Sequence, residues 1–280
     1  MTVELSLNQA TTRPYPLTDT ARAASAVGIR HLGLWCEPVR ELGAGPTARL
    51  LRDTGLGVTS LSRVGFVADK RGPELRAALD EVAGAIELAH AVGAPMLTFI
   101  AGGLPTENPD PRAAEARVAD ALAQVEPLAR AAGVRLALEP LHPLFAADRS
   151  AVTTLRAALR TIAELPPQSV GVLIDSYATW WDPDLAEGVE AAGPRIAGYQ
   201  VSDFRLPLPA PDHMNGRLLP GDGIIDLARM TTTVRAAGFT GPIEVEVFND
   251  EIWTLPLADI VARTVQRFET HVASGMPYRR

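Results

Sequence analysis

Four short apolar runs in the second half of the chain each finish in, or carry near their end, an oxygen-bearing side chain. They are Leu136-Ala137-Leu138-Glu139-Pro140, Leu173-Ile174-Asp175, Gly198-Tyr199-Gln200 and Glu244-Val245-Glu246-Val247-Phe248. If each run is a β-strand, side chains alternate between its faces, so Glu139, Asp175 and Glu246 share one face while Leu138, Ile174, Val245 and Val247 take the other. Three carboxylates gathered at one place repel one another, and some of their pKa values rise unless a cation neutralises them. A divalent metal ion resolves that conflict. Two Glu, one Asp and one Gln oxygen form a hard donor set that suits Mn2+ or Mg2+ better than zinc, which makes Glu139, Asp175, Gln200 and Glu246 the expected ligands. Such a centre can exchange protons at a carbon next to a carbonyl: the ion stabilises an enediolate, and Glu139 and Glu246 supply a base near each face of that carbon. Loss of a β-hydroxyl from the same intermediate makes the enzyme a dehydratase.

These residues meet only if their strands are neighbours. β-type runs alternate with longer Ala/Leu/Arg segments from end to end, giving eight units, with strands expected near Val3 to Asn8, Arg30 to Cys36, Gly57 to Arg63, Pro95 to Ala101, Val134 to Glu139, Val170 to Asp175, Ile196 to Val201 and Ile243 to Phe248. Between them, Glu74 to Val92, Ala113 to Ala132 and Val152 to Leu165 space apolar residues three and four apart, as helices with one buried face do. Glycines close several helices just before the next strand, at Gly28, Gly93, Gly133 and Gly238. Strict alternation implies parallel strands with right-handed crossovers, and eight units let the sheet close into one (β/α)8 barrel over residues 1–280. An open doubly wound sheet is the alternative, but no Gly-x-Gly-x-x-Gly follows the first strand and no linker divides the chain. In a barrel the strand ends carry the chemistry. The Pro-rich stretch Leu206 to Pro211 is expected to be an active-site loop.

Length and composition agree with a soluble globular protein: 280 residues, 47% hydrophobic and 21% charged. The net charge of −7 argues against a nucleic-acid partner. Lys70 is the only lysine among 26 basic residues and lies beyond the third strand, which disfavours a Schiff-base aldolase. Cys36 stands alone, excluding an intrachain disulfide and a Cys-based metal cluster. No signal peptide and no apolar run long enough to span a membrane is visible, so a cytoplasmic location is expected.

The motifs Leu138-Glu139-Pro140-Leu141-His142-Pro143, Asp175-Ser176-Tyr177 with Trp180-Trp181-Asp182-Pro183-Asp184, Gln200-Val201-Ser202-Asp203-Phe204 and Gly241-Pro242-Ile243-Glu244-Val245-Glu246 resemble those of the xylose isomerase-like TIM barrels of the sugar phosphate isomerase/epimerase superfamily. The resemblance covers essentially the whole chain. It implies a divalent ion at Glu139, Asp175, the strand-seven position and Glu246, with the two Glu ligands moving protons, and it implies homo-oligomers. The chain departs from the pattern at two places: the strand-seven ligand, commonly His, is Gln200, and the His usually found three residues after the metal-binding Asp is Ala178. His142 is the candidate acid/base that could replace that imidazole. Arg217, where the family often has an Arg on substrate hydroxyls, together with His213 and Trp180, is a candidate substrate contact. Gly221-Asp222-Gly223 reads as a tight turn rather than a phosphate cradle, because Asp222 would repel phosphate, and this points to an unphosphorylated substrate.

The expected activity is therefore a metal-dependent isomerase or epimerase of a small sugar, keto-acid or cyclitol. A lyase of the inosose dehydratase kind uses the same groups, and a non-catalytic sugar-binding barrel is the competing class. An endonuclease IV-like nuclease would want more His ligands and a basic surface.

Overall fold

Apolar residues on alternate positions build strands whose outer faces need helices to cover them, and the chain meets that need by closing on itself. The computed structural model describes residues 3–208, 213–274 and 278–279. Its parallel strands are β1 (Val3–Asn8), β2 (His31–Trp35), β3 (Gly57–Gly65), β4 (Met96–Ile100), β5 (Arg135–Glu139), β6 (Val170–Asp175), β7 (Ile196–Val201) and β8 (Ile243–Val245). Each pairs with the next, and β1 pairs with both β2 and β8, which closes the (β/α)8 barrel. A two-residue β9 (Tyr278–Arg279), unforeseen in the sequence, pairs with the start of β1.

The helices follow local chemistry. The helix Gly72–Val92 buries Ala78, Val82, Ala85, Ile86, Ala89 and Val92, and ends at Gly93 in the left-handed conformation at φ +75°. Pro111–Ala131 starts two residues earlier than the apolar spacing suggests, because Asp110 accepts from the Arg112 N–H and Pro111 fits the first turn. Leu155–Thr161 is shorter than expected: Thr154 caps it through the Ala157 N–H, which fixes the start after Val152.

Alternation sorts the side chains as the strand-end argument requires. Met96, Ala137 and Leu173 pack together inside the barrel. Leu138, Val172, Ile174, Val245 and Val247 belong to the larger core between strands and helices, where each fully buried aliphatic side chain contributes roughly 1.5–3 kcal/mol. Strand register sets Asp175 level with Gln200 and Gln200 level with Glu244. β8 is shorter than expected: Glu246 still donates its N–H to Val201, but the next N–H, of Val247, goes to the Thr11 hydroxyl.

Two glycines make the mouth possible. A Cβ on Gly33 would lie 2.4 Å from the Glu244 carboxyl carbon. Gly65, at φ +108°, brings its backbone so close to β4 that a Cβ would meet the Ile100 carbonyl at 2.2 Å. Among the described residues no helix is long and apolar enough to cross a membrane.

Candidate functional site

The deepest polar layer centres on Glu244, a residue the sequence argument left out. Its carboxylate accepts from Asn8 Nδ2 at 2.6 Å, Gln200 Nε2 at 2.5 Å, the Thr59 hydroxyl at 2.5 Å and the Ser60 hydroxyl at 2.8 Å. A buried carboxylate with four donors is satisfied, so Glu244 is an anchor rather than a reactive group. The anchor decides which end of the Gln200 amide is free. With its nitrogen committed to Glu244, Gln200 keeps Oε1 buried without a hydrogen-bond partner among the described residues.

Above that layer Glu139, Asp175 and Glu246 come together, each no more than 5% exposed. Asp175 serves two purposes: Oδ1 caps the short helix Ser176–Thr179 through the Tyr177 N–H, and Oδ2 pairs with Arg217. Arg217 Nη1 stands 2.8 Å from Asp175 Oδ2 and 3.1 Å from Glu246 Oε2. The guanidinium also lies over the rings of Tyr177 and Phe248, at 4.8 and 4.9 Å from their centroids. Arg217 was expected to contact substrate hydroxyls. It is 4% exposed, bridges two of the expected metal ligands and lines the same cavity as Glu139 and Glu246.

Electrostatics follow from this packing. Burial pushes the Glu139 carboxyl well above the usual carboxylate range, and the charges of Asp175 and Glu246 push it further. Glu246 is raised to about 8, with burial the main cause and Arg217 the chief opposing influence. Asp175 is raised by burial against the same guanidinium. Arg217 is disfavoured by burial, yet Asp175, Glu246 and Glu139 outweigh that and keep it charged.

Three carboxylates beside one guanidinium would leave two surplus negative charges in a buried place if all were ionised, the conflict that raises Glu139 and Glu246. That surplus, the all-oxygen donors and the orphaned Gln200 Oε1 suit a divalent ion. Among the described residues, however, no three His, Cys, Asp or Glu side chains close into a ready cage. Arg217 draws on the same two carboxylates that such an ion needs.

The cavity over Glu139 and Glu246 is narrow, about 40 Å3, and is lined on its far side by Trp35, Arg63, Phe66, Arg149, Met214 and Phe248. None of these six was singled out in the sequence. Arg63 follows from the strand-end rule applied to strand three, since Leu61-Ser62-Arg63 finishes that run.

Three expected site residues lie elsewhere. His142 stacks on Phe204 at 5.4 Å and meets Trp181 edge-on, outside the lining of this cavity. Its ring accepts the Leu144 N–H on Nδ1, and burial together with the neighbouring His213 lowers its pKa to about 4, so the imidazole is neutral at pH 7. Trp180 packs on Phe204 and lines a different, outer cleft. His213 accepts the Tyr177 hydroxyl on its carbonyl oxygen, and its Nδ1 is buried without a partner among the described residues. At residues 221–223 the structure gives a turn: Asp203 accepts the N–H groups of Gly221 and Ile225, which leaves those donors unavailable to a phosphate. Lys70 donates to the Phe66 carbonyl, outside the barrel, and the Cys36 thiol is buried with its pKa pushed up to about 12, so neither is a nucleophile. Of the Pro-rich loop, residues 209–212 lie outside the described residues.

Comparison with known proteins agrees with this architecture. The family model for xylose isomerase-like TIM barrels matches residues 18–271. The solved structure of protein SMc04130 from Sinorhizobium meliloti 1021 superposes with a TM-score of 0.90 at 38% identity, covering 95% of this chain and 98% of the other. The IolI protein with a bound zinc atom superposes at TM-score 0.82 and 19% identity, over 97% and 98% of the two chains, a likeness of fold. A 3-dehydroshikimate dehydratase from Pseudomonas aeruginosa is 32% identical over 146 residues, half of this chain, and the match spans 22% of that protein's length.

Proposed function

The chain belongs to the xylose isomerase-like TIM barrels, and from that premise we propose that it is a divalent-metal-dependent enzyme that removes a proton next to a carbonyl of a small polyhydroxylated molecule, with Glu139 as the base. One observation carries the reading: Glu139 is buried, has a strongly raised pKa and, unlike its neighbours, is not hydrogen-bonded by Arg217. A carboxylate kept poor in hydrogen bonds and short of counter-charge is basic enough to take a carbon-bound proton.

Glu139, Asp175, Gln200 Oε1 and Glu246 are the residues that would hold the ion, Mn2+ or Mg2+ by their hardness. When bound, it supplies a Lewis acid for the substrate oxygens. The protein's own residues do the rest. Glu244 fixes the Gln200 amide with its oxygen free. Burial excludes water from Glu139. Glu246 is the second group able to hold a proton near neutrality. If it returns the proton to the neighbouring carbon or the opposite face, the outcome is isomerisation or epimerisation.

Elimination of a β-hydroxyl is the second reading, and two observations favour it. Glu246 is clamped by Arg217 at 3.1 Å, which suits a proton donor to a departing hydroxyl better than a second free base. The Pseudomonas relative is a dehydratase.

The test is hydrogen exchange in D2O, followed by NMR, with metal-loaded protein and a panel of keto-sugars, hydroxylated keto-acids and inososes. Deuterium entering next to the carbonyl is the expected result, with a new sugar or an unsaturated product telling isomerase from dehydratase. A panel that shows neither exchange nor product leaves the binding-module reading in its place.

A further inference from the structure

Once Arg217 and a divalent ion balance Glu139, Asp175 and Glu246, two guanidiniums over the same cavity remain unbalanced. Arg63 is held in a cation–π arrangement between Trp35 and Phe66, 5.1 and 5.3 Å from their ring centroids, and its only ion pair among the described residues is to Glu37 at 4.0 Å. Arg149 lies 6.0 Å from the Phe145 centroid, and its only ion pair among the described residues is to the adjacent Asp148, also at 4.0 Å. Both acids are well exposed, at 62% and 69%, so these pairs are worth little. The arginines are only 34% and 35% exposed. A guanidinium parked on aromatic faces is oriented in advance and keeps its N–H fork for a ligand. In a chain of net charge −7, a mouth lined by Arg63, Arg149 and Arg217 is a local inversion of charge that attracts anions.

We propose that Arg63 and Arg149 form a subsite for the carboxylate of the substrate, which makes the substrate a hydroxylated acid rather than a neutral sugar or cyclitol. The inference rests on the reading of the site given above. A carboxylate fits better than a phosphate ester. The cavity is small, and the turn at 221–223, which lines a different cleft, commits its Gly221 and Asp222 N–H groups to Asp203 and Leu219 rather than forming an anion cradle. Because the free volume is about 40 Å3, smaller than a sugar acid, the arginines and Met214 must shift as the ligand enters.

Binding to the full-length, metal-loaded chain tests this without requiring turnover. Isothermal titration compares two matched sets: 2-keto-D-gluconate, D-fructose 1-phosphate and D-fructose, which differ at one carbon, and quinate against its neutral methyl ester. In at least one set the acid is expected to bind about tenfold or more tightly than its neutral partner. Arg63→Met and Arg149→Met should each reduce that ratio about fivefold or more, with melting temperatures near wild type. The proposal is overturned if acid and neutral partner bind alike in both sets, if the phosphate ester alone is preferred, if the ratio survives both substitutions, or if no acid binds below about 10 mM. Acid binding that depends on the arginines, with no hydrogen exchange, would uphold the subsite and reject the proton-transfer reading. Exchange on neutral sugars unaffected by the arginines would do the opposite.

Discussion

Glu139→Gln is expected to lower proton exchange and turnover by about a thousandfold while making the folded protein more stable. The two effects have one cause. Glu139 is buried beside Asp175 and Glu246, and burial and these charges oppose its ionised form. An amide removes the charge and the cost of holding it, and it keeps an oxygen that can ligate, as Gln200 already offers. It cannot accept a proton. Metal content should therefore persist, kcat should collapse, and the melting temperature near pH 8 should rise. A variant that keeps wild-type kcat would remove Glu139 from the base role, whereas loss of both metal and activity would make it chiefly a ligand.

Arg217→Met is expected to cost about 3–5 kcal/mol, because it strips the counter-charge from two buried carboxylates at once. The loss should depend on pH in a definite direction. Glu246 has a folded pKa of about 8 against 4.5 for the free group. The native state therefore keeps a proton that the unfolded chain releases, and stability falls as pH rises across that window. Arg217 opposes this shift, so without it the fall continues beyond the wild-type pKa: the deficit of the variant is smallest near pH 6 and grows above about pH 8, to be largest near pH 9.5. Adding a divalent ion should restore part of the stability, since any cation that binds only the folded cluster favours it. Urea unfolding at the two pH values checks both signs. A deficit that does not change with pH would mean that Arg217 acts through its stacking on Tyr177 and Phe248 instead.

The barrel was legible because its signals are local and repeated. β1, β6 and β7 coincide with the expected strands, and the inward placement of Glu139, Asp175 and Glu246 follows from two-residue alternation alone. The site was legible only as a set of strand ends. Arg217 lies in a loop, where no periodicity fixes a side chain's direction, so its turn into the carboxylates could not be read. Its partners lie 42 and 29 residues away. Glu244 stood in the quoted run and was passed over because its four donors come from β1, β3 and β7, and only the closed sheet assembles them. His142 and Trp180 are residue types that often do chemistry. Here an aromatic cluster around Phe204 takes them, a packing event with no signature in sequence spacing. Arg63 ends the third run and so obeys the strand-end rule, but as a cation it is no member of an oxygen-donor set.

The measurement closest to the central claim is a calorimetric titration of Mn2+ into chelator-treated protein, beside Asp175→Asn and Gln200→Leu. One ion per chain, bound in wild type and weakened about tenfold or more in both variants, is the predicted result. No binding in the wild-type protein, or binding that neither substitution weakens, would contradict the assignment of this carboxylate cluster as a metal-assisted proton-transfer centre.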